Sequence, residues 1–267
     1  TVNTGATAST VGGSFSGGTL AGTGTFTVAA SNGTYTWTGG TISGGTLAVA
    51  PLGTLLLSGG SDKNVFAAGT VTNAGTVTWT GGRLVLAQSA TITNSGLWDA
   101  QGDNAIVSFG GNSGSGTFTN TGTVRKSAGT GTTTIGGSAC FFFCSDTVGF
   151  NNSGTVDVQT GTLLLLGGGT SSGSFTVASG ATLAFGGGTH SLNAGSSLTV
   201  AGTLLVSGGA VNLDGTGTVS GTTTVSGGAL TLNSGITSTT GSTNLSGGTL
   251  TVNTGATAST VGGSFSG

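Results

Sequence analysis

Pairs of adjacent glycines recur along this 267-residue sequence at intervals of about twenty positions, and this period constrains the fold more than any other feature. Most steps span nineteen to twenty-two positions, and three longer steps lie together between Gly82 and Gly168. Pairs such as Gly12–Gly13 fall outside the series. A fixed period of this size is typical of a repeat architecture in which each repeat is one structural unit. The second glycine of each pair in the series is Gly18, Gly40, Gly60, Gly82, Gly111, Gly137, Gly168, Gly187, Gly209, Gly228 or Gly248.

Each step contains about three short units of alternating or β-branched residues, separated by small turns, as in ATLAFGGGTHSLNAGSSLTVAGTLLVSGGAVNL (residues 181–213). Alternation with period two indicates strands, and no segment has the spacing of an amphipathic helix. A coil of three strands per turn explains the fixed period, because each turn stacks on the next at about 4.8 Å. The sequence therefore predicts an all-β fold, a parallel, right-handed β-solenoid of roughly triangular section. A two-sheet sandwich built from hairpins is the alternative.

The opening segment of the chain, TVNTGATASTVGGSFSG (Thr1–Gly17), recurs unchanged at its end as Thr251–Gly267. The next glycine of the series would stand at position 268, one 250-residue period and eleven steps after Gly18. We therefore expect residues 1–250 to form one repeat unit of about eleven rungs, and residues 251–267 to begin the next identical unit. A local duplication of the segment is the alternative. Eleven rungs would advance the coil by about 53 Å.

The small number of charged residues limits the kinds of partner that the chain can bind. Charged residues make up 4% of the chain and the net charge is −2, so no basic patch is present to bind nucleic acid. No apolar stretch reaches the roughly 20 residues that span a bilayer. Low net charge favours association, and no capping element is evident at either end of the coil. The expected partner is the chain itself, by end-to-end continuation and lateral contacts, with a stability that depends little on salt or pH.

A repeated asparagine marks one predicted corner of the coil. It occurs as NAG at Asn73, NSG at Asn94, NTG at Asn120 and NSG at Asn152. Asn and Gly tolerate the positive φ of sharp corners, and stacked Asn side chains can hydrogen-bond along a column. The four residues are therefore a candidate turn ladder, with turn propensity alone as the alternative.

The aromatic residues are candidates for surface contacts. TYTWTGG (Thr34–Gly40) and TVTWTGG (Thr76–Gly82) are separated by about two rungs, so Trp37 and Trp79 should occupy the same face. A groove for a glycan or a host surface would need exposed aromatic rings. Tyr35, Trp37, Trp79 and Trp98 are the candidates for it.

The segment CFFFC lies in the longest step of the series, from Cys140 to Cys144. Two cysteines at this spacing in a protruding loop can form a disulfide in an oxidising compartment. The alternatives are two free thiols or a metal site, and a metal site would need two more ligands. Phe141, Phe142 and Phe143 cannot all point inward. We expect them to form a self-packed loop that covers the core or a contact with a neighbouring fibre.

Titratable residues give no catalytic pattern. Asp99, Asp103 and Asn104 offer oxygen ligands for Ca²⁺, but solvated loop acids explain them better. His190 has no evident acidic partner nearby in the sequence, and general acid–base catalysis needs positioned titratable groups. We therefore expect no enzymatic activity, no metal and no cofactor.

Two further motifs bear on surface contacts. T-x-T units begin at Thr25, Thr70, Thr76, Thr91 and Thr117 and are similar to those of ice-binding solenoids, but their irregular spacing favours ordinary β-propensity. The leucine runs at residues 55–57 and 163–166 should send alternate side chains outward, where they favour lateral contacts.

The segment NNSGTVDVQTGTLLLLGGGTSSGSFTVASGATLAFGGGTHSL (residues 151–192) resembles the repeats of large bacterial surface β-helix proteins, including autotransporter passengers and filamentous-haemagglutinin-type adhesins. The resemblance covers most of the chain as a style of repeat and carries over no functional residues. It implies secretion, a location at the cell surface or in the extracellular matrix, and a structural or adhesive role. We therefore expect a self-associating structural filament. The alternative is a binding module, either an adhesin for a glycan or host surface or an ice binder.

Overall fold

The chain folds as a parallel β-solenoid of about 11 turns with about 21 residues per turn. The structure, a computed structural model, describes residues 1–30, 33–109, 114–138, 146–233 and 237–265. These residues form 34 strands and no helix. Because successive turns pair through parallel strands, the predicted parallel β-solenoid is confirmed and a sandwich is excluded, whereas its right-handedness stays a prediction.

Each turn contributes one strand to each of three faces, which we name A, B and C in the order in which the chain visits them. Strands are numbered along the chain. Face A contains β1 (Thr7–Thr10), β4 (Thr25–Val28), β7 (Thr46–Val49), β10 (Thr70–Asn73), β13 (Thr91–Asn94), β16 (Gly116–Asn120), β19 (Val148–Asn152), β22 (Gly169–Ser171), β25 (Thr189–Leu192), β28 (Ala210–Leu213), β30 (Ala229–Leu232) and β32 (Thr249–Val252).

Faces B and C are joined into one sheet by two long strands, β29 (Thr216–Val225) and β31 (Thr237–Leu245), which run through both faces. Face B otherwise contains β2 (Gly13–Phe15), β5 (Thr34–Trp37), β8 (Thr54–Leu57), β11 (Thr76–Trp79), β14 (Leu97–Ala100), β17 (Thr123–Lys126), β20 (Thr155–Val158), β23 (Ser174–Val177), β26 (Ser197–Val200) and β33 (Thr257–Thr260). Face C otherwise contains β3 (Thr19–Ala21), β6 (Gly40–Ser43), β9 (Lys63–Phe66), β12 (Leu84–Leu86), β15 (Ala105–Ser108), β18 (Thr132–Ser138), β21 (Thr162–Leu165), β24 (Thr182–Phe185), β27 (Thr203–Val206) and β34 (Gly263–Phe265).

The core is a column of apolar side chains along the solenoid axis. Most strands are four residues long, and their second and fourth side chains point inward, as in β8, where Leu55 and Leu57 are buried. Equivalent side chains stack from turn to turn because the strands pair in register. Burying each large apolar side chain contributes about 1.5–3 kcal/mol. On face B this column runs Leu55, Val77, Trp98, Val124, Val156, Phe175, Leu198.

The three tryptophans belong to this core, so the expectation that Trp37, Trp79 and Trp98 form surface contacts is wrong. Their exposed fractions are 0%, 0% and 1%. Trp37 and Trp79 each end a strand of face B, at the inward fourth position, so the expectation that they share a face is confirmed. Tyr35 is half-buried and packs on Phe26, with a ring-centroid distance of 5.3 Å.

The glycine series marks two corners of the solenoid rather than one. Its first four pairs precede strands of face C or open them, whereas its last five precede strands of face A. The series changes corner between Gly82, which precedes β12 on face C, and Gly168, which precedes β22 on face A. All three corners need sharp turns that glycine makes easily, so a glycine pair does not reveal which corner it occupies.

The two copies of the repeated segment occupy different faces. In the first copy Thr7–Thr10 lies on face A and pairs with β4, whereas in the second copy Thr257–Thr260 lies on face B and pairs with β31. The expected unit of about eleven rungs is therefore refined: 250 residues form eleven turns and one additional face.

Candidate functional site

The outer surface of face A carries an array of small hydroxyl side chains. In its first six strands, the two outward positions of each strand are almost all threonine or serine. No outward residue at these twelve positions is charged. We call these positions the hydroxyl array. Its two ranks are Thr7, Thr25, Thr46, Thr70, Thr91, Thr117 and Ser9, Thr27, Ala48, Thr72, Thr93, Thr119.

The hydroxyl array is regular because the strands stack without a register shift. Each rank repeats at the strand spacing of about 4.8 Å, and the two ranks lie about 6.7 Å apart along the strand. Neighbouring threonines touch directly, as in the 3.2 Å hydrogen bond that Thr91 Oγ1 donates to Thr70 Oγ1. Threonine has restricted side-chain rotation. The array can therefore present hydroxyl and methyl groups to a ligand in a fixed two-dimensional lattice.

The T-x-T units are less scattered than their sequence spacing indicated. Those that begin at Thr25, Thr70, Thr91 and Thr117 all lie on face A, and only Thr76 lies on face B. Their irregular sequence spacing results from insertions at corners between the faces, which leave the stacking intact. In later turns the first rank is interrupted by residues such as Gly149, Ala210 and Ala229.

The four predicted ladder asparagines form a continuous hydrogen-bonded column inside the corner between faces A and B. Each ends a strand of face A and is buried. Asn73 Nδ2 donates to Asn94 Oδ1, Asn94 to Asn120 and Asn120 to Asn152, each over 2.7 Å. Asn152 Nδ2 then donates to Ser171 Oγ over 3.3 Å. The column connects five successive turns without using a charged group.

A column of glycines accompanies the asparagine column at the same corner. A Cβ atom on Gly96 would lie 2.2 Å from the carbonyl oxygen of Gly75, and one on Gly122 would lie 2.3 Å from that of Gly96. A Cβ on Gly154 would continue the contact at 2.1 Å from the carbonyl oxygen of Gly122. These glycines are required by the close approach of successive turns.

A second polar column was not predicted. After β28, β30 and β32, at the same corner further along the axis, Asn233 Nδ2 donates to Asp214 Oδ1, and Asn253 Nδ2 donates to Asn233 Oδ1 over 2.7 Å. The sequence signal is an Asn or Asp directly after each of these strands, in VNLDG, LTLNS and LTVNT. The hydrogen bonds of this column are exposed to solvent.

The acids considered as calcium ligands are paired with basic side chains instead. Asp99 accepts hydrogen bonds of 3.1 and 2.9 Å from Nε and Nη2 of Arg125. Burial alone would raise the pKa of Asp99, but hydrogen bonds from Arg125, Gln101 and Ser127 together with the charge of Arg125 hold it below the ordinary value. Among the described residues no group of three or more His, Cys, Asp or Glu side chains could hold a metal ion.

Two lysines are buried at the corner between faces B and C, which the sequence analysis missed. Lys63 Nζ donates to the carbonyl oxygens of Ser61 and Gly81 over 3.2 and 3.0 Å. Burial lowers the pKa of Lys63, although the charge of Asp62 opposes the shift. Lys126 Nζ pairs with Asp103 Oδ1 over 3.0 Å and donates to Thr133 Oγ1 over 3.1 Å. Lys126 Nζ also donates to the carbonyl oxygens of Gly102 and Ala128 over 3.4 and 3.2 Å, so both ammonium groups satisfy carbonyl oxygens at this corner.

His190 is the second residue of β25 on face A, and its side chain lies inside the solenoid. Its ring centroid is 4.8 Å from that of Phe185, and its Nε2 lies 3.0 Å from the carbonyl oxygen of Gly187. Burial lowers its pKa to about 4. The side chain is therefore neutral at physiological pH, and we assign it a packing role.

Several predicted contact residues lie outside the described part of the chain: Cys140, Phe141, Phe142, Phe143 and Cys144. The predicted disulfide and aromatic loop therefore stay predictions.

The two leucine runs alternate between outward and inward side chains, as predicted. The partly exposed leucines are Leu56, Leu164 and Leu166, and the buried ones are Leu55, Leu57, Leu163 and Leu165.

Comparisons with models of protein families, with curated proteins and with solved structures find no match for this chain. In the part of the chain that the structure describes, no helix has the length and apolar character that crossing a membrane requires.

Proposed function

We propose that this chain is a structural unit of an extracellular, self-associating filament, a surface or matrix protein of the kind that the bacterial β-helix resemblance implies. Its role is mechanical: it extends a rod of constant section by stacking turns. The unit takes no cofactor and catalyses no reaction. Its partners are further copies of the same unit, joined end to end and side by side.

The observation that carries the proposal is the continuation of the coil into the second copy of the repeated segment. This copy begins at Thr251 within β32, which pairs in register with β30 one turn earlier. β33 and β34 then pair with β31 in the same way. A sequence with a 250-residue period can therefore be wound as one coil, since the fold passes through the repeat boundary without a change of geometry.

The internal contacts suit a load-bearing rod. A solenoid behaves as a one-dimensional stack in which each turn contacts only its neighbours. Here the backbone ladders, the apolar core and the asparagine column all connect successive turns. These contacts bear force along the axis and need few charges.

Electron microscopy of the full-length protein on intact cells and after purification tests the proposal. We expect unbranched rods of uniform width outside the cell, labelled along their length by antibodies against this unit. Compact particles, or labelling that requires the cells to be opened, would contradict it.

A second candidate function is favoured by the hydroxyl array. An uncharged lattice made mostly of threonines, with rungs about 4.8 Å apart, is suited to ordering water at an ice surface. An adhesin that binds a glycan through exposed tryptophans has less support, because all three tryptophans are buried.

Thermal hysteresis of the 267-residue chain tests ice binding. We would expect Thr72→Lys with Thr93→Lys to abolish hysteresis and Thr78→Lys, on the outer surface of face B, to retain it; a parent chain without hysteresis excludes this function.

A further inference from the structure

The repeated segment occupies two different positions around the solenoid axis. In the first copy the strands Thr7–Thr10 and Gly13–Phe15 lie on faces A and B. In the second copy the identical strands Thr257–Thr260 and Gly263–Phe265 lie on faces B and C. The second copy is therefore advanced by one face relative to the first.

The advance follows from the number of strands between the two copies. Face A contains twelve strands from β1 to β32, so eleven turns separate these two strands. β33 follows β32 on the next face. One 250-residue period therefore equals eleven turns plus one of three faces. The change of corner in the glycine series between Gly82 and Gly168 shows the same offset, because the series begins before face C and ends before face A.

The fold accepts this offset because its three faces are built alike. All three include strands of four residues with inward second and fourth side chains, as in β8, β10 and β21, although β9 on face C buries its first and third. All three corners include glycines. A segment such as TAST can then form its backbone hydrogen bonds on either face, since each strand needs only matching strands in the turns above and below.

We infer that successive 250-residue units of the filament are rotated by one third of a turn, so that each surface feature moves to the next side with every unit and returns to its first side after three units. This inference rests on the proposed tandem filament. Three units contain 34 turns, or about 163 Å of axial length. Each side of the filament then presents the hydroxyl array in one unit of every three.

The rotation determines what a second filament meets when it lies alongside. If units were stacked without rotation, the hydroxyl array would recur on the same side in every unit, and filaments would associate through that side into pairs or ribbons. With the rotation, all three sides carry the same features at the same average density. The geometry therefore favours bundles that grow in three directions over flat ribbons.

Cryo-electron microscopy of a chain of six consecutive units tests the inference, because side-chain density identifies which face carries the hydroxyl array in each unit. We expect the array to advance by one face per unit, in addition to any twist of the rungs themselves. A matched control lacks residues 203–208 in every unit, which removes β27 and its turn and moves every later strand back by one face. In this control the array should stay on one side.

The outcomes separate the inference from the proposed function. A continuous rod in which the parent array stays on one side would overturn the inference and leave the filament proposal intact. Units that fold as separate particles without a continuous coil would overturn both. A parent rod with the one-face advance supports the inference even if the deletion variant fails to fold.

Discussion

The side-chain amide of Asn94 donates a hydrogen bond of 2.7 Å to Oδ1 of Asn120, in the next turn of the coil. Asn94 accepts an equivalent bond from Asn73 and also donates to the carbonyl oxygen of Thr123 over 3.0 Å. Its amide is fully buried. One side chain thus connects three turns, and water cannot replace its bonds if it is removed.

Asn94→Ala should therefore lower the free energy of unfolding by about 2–3 kcal/mol, because it leaves buried groups on both neighbouring turns without partners. Chemical denaturation measures the change. Asn64→Ala is the matched control, since Asn64 is partly exposed and makes only a 3.4 Å bond to Thr41. It should change stability by less than about 0.5 kcal/mol. Equal effects of the two substitutions would show that the asparagine column does not stabilise the coil.

Gly122→Ala should destabilise the coil by about 1–3 kcal/mol or prevent folding, since its Cβ would lie 2.3 Å from the carbonyl oxygen of Gly96. Gly60→Ala is the control, because no atom lies within 4 Å of a Cβ at that position. Thermal unfolding followed by circular dichroism compares the two variants. A Gly122→Ala protein as stable as Gly60→Ala would mean that successive turns are not so close at this corner.

Removing Arg125 should cost much more stability than removing Arg83. Arg125→Met leaves Asp99, whose side chain is 5% exposed, as a buried charge without its partner, and we expect a loss of about 2 kcal/mol or more. Arg83→Met breaks a pair with Asp62 whose side chains are 50% and 36% exposed, which should cost less than about 1 kcal/mol. Urea denaturation at pH 7 measures both variants. The reverse order would contradict the burial of Asp99.

Stability should fall between pH 7 and pH 4.5 because of His190, a stronger pH dependence than the small number of charged residues alone would give. The pKa of His190 is lowered from 6.5 to about 4 in the folded chain. As the pH falls, His190 therefore binds a proton in the unfolded chain before it does so in the folded chain. The stability that neutral His190 contributes is complete above about pH 6.5 and is lost as the pH falls toward 4. The loss at pH 4.5 should be about 2–3 kcal/mol.

His190→Gln tests this origin, since glutamine stays neutral and can still donate to the carbonyl oxygen of Gly187. Denaturation at pH 7.5 and at pH 4.5 should show a clear difference for the parent chain and a much smaller one for the variant. The lowered pKa of Asp99 keeps that carboxyl ionised across this window. An equal pH dependence in both proteins would rule out His190 as the titrating group.

The sequence predicts the solenoid because its strands and corners are specified locally. Val71 and Asn73 alternate with outward threonines in β10, and the glycine that follows each ladder asparagine is needed where turns approach closely. The asparagine column was accessible for the same reason, because the four NxG motifs of the predicted ladder recur at intervals of about one turn.

The features that the sequence did not reveal depend on the position of each strand around the axis, and this position is set by all the turns that precede it. The face on which a strand lies follows from every corner before it, so neither the shared face of the T-x-T units nor the offset of the repeated segment was visible. Strands of four residues also leave the phase of alternation ambiguous, and Trp37 was assigned to the wrong side. Lys63 could not be recognised as buried, because its partners are carbonyl oxygens of an irregular corner.

Small-angle X-ray scattering of chains that contain one, two and three consecutive 250-residue units tests the central claim most directly. Each unit adds eleven and one third turns, so the account predicts that the rod lengthens by about 54 Å per unit while its cross-sectional radius of gyration stays constant. A cross-section that grows with the number of units, or a length increment well below this value, would contradict a single continuous coil.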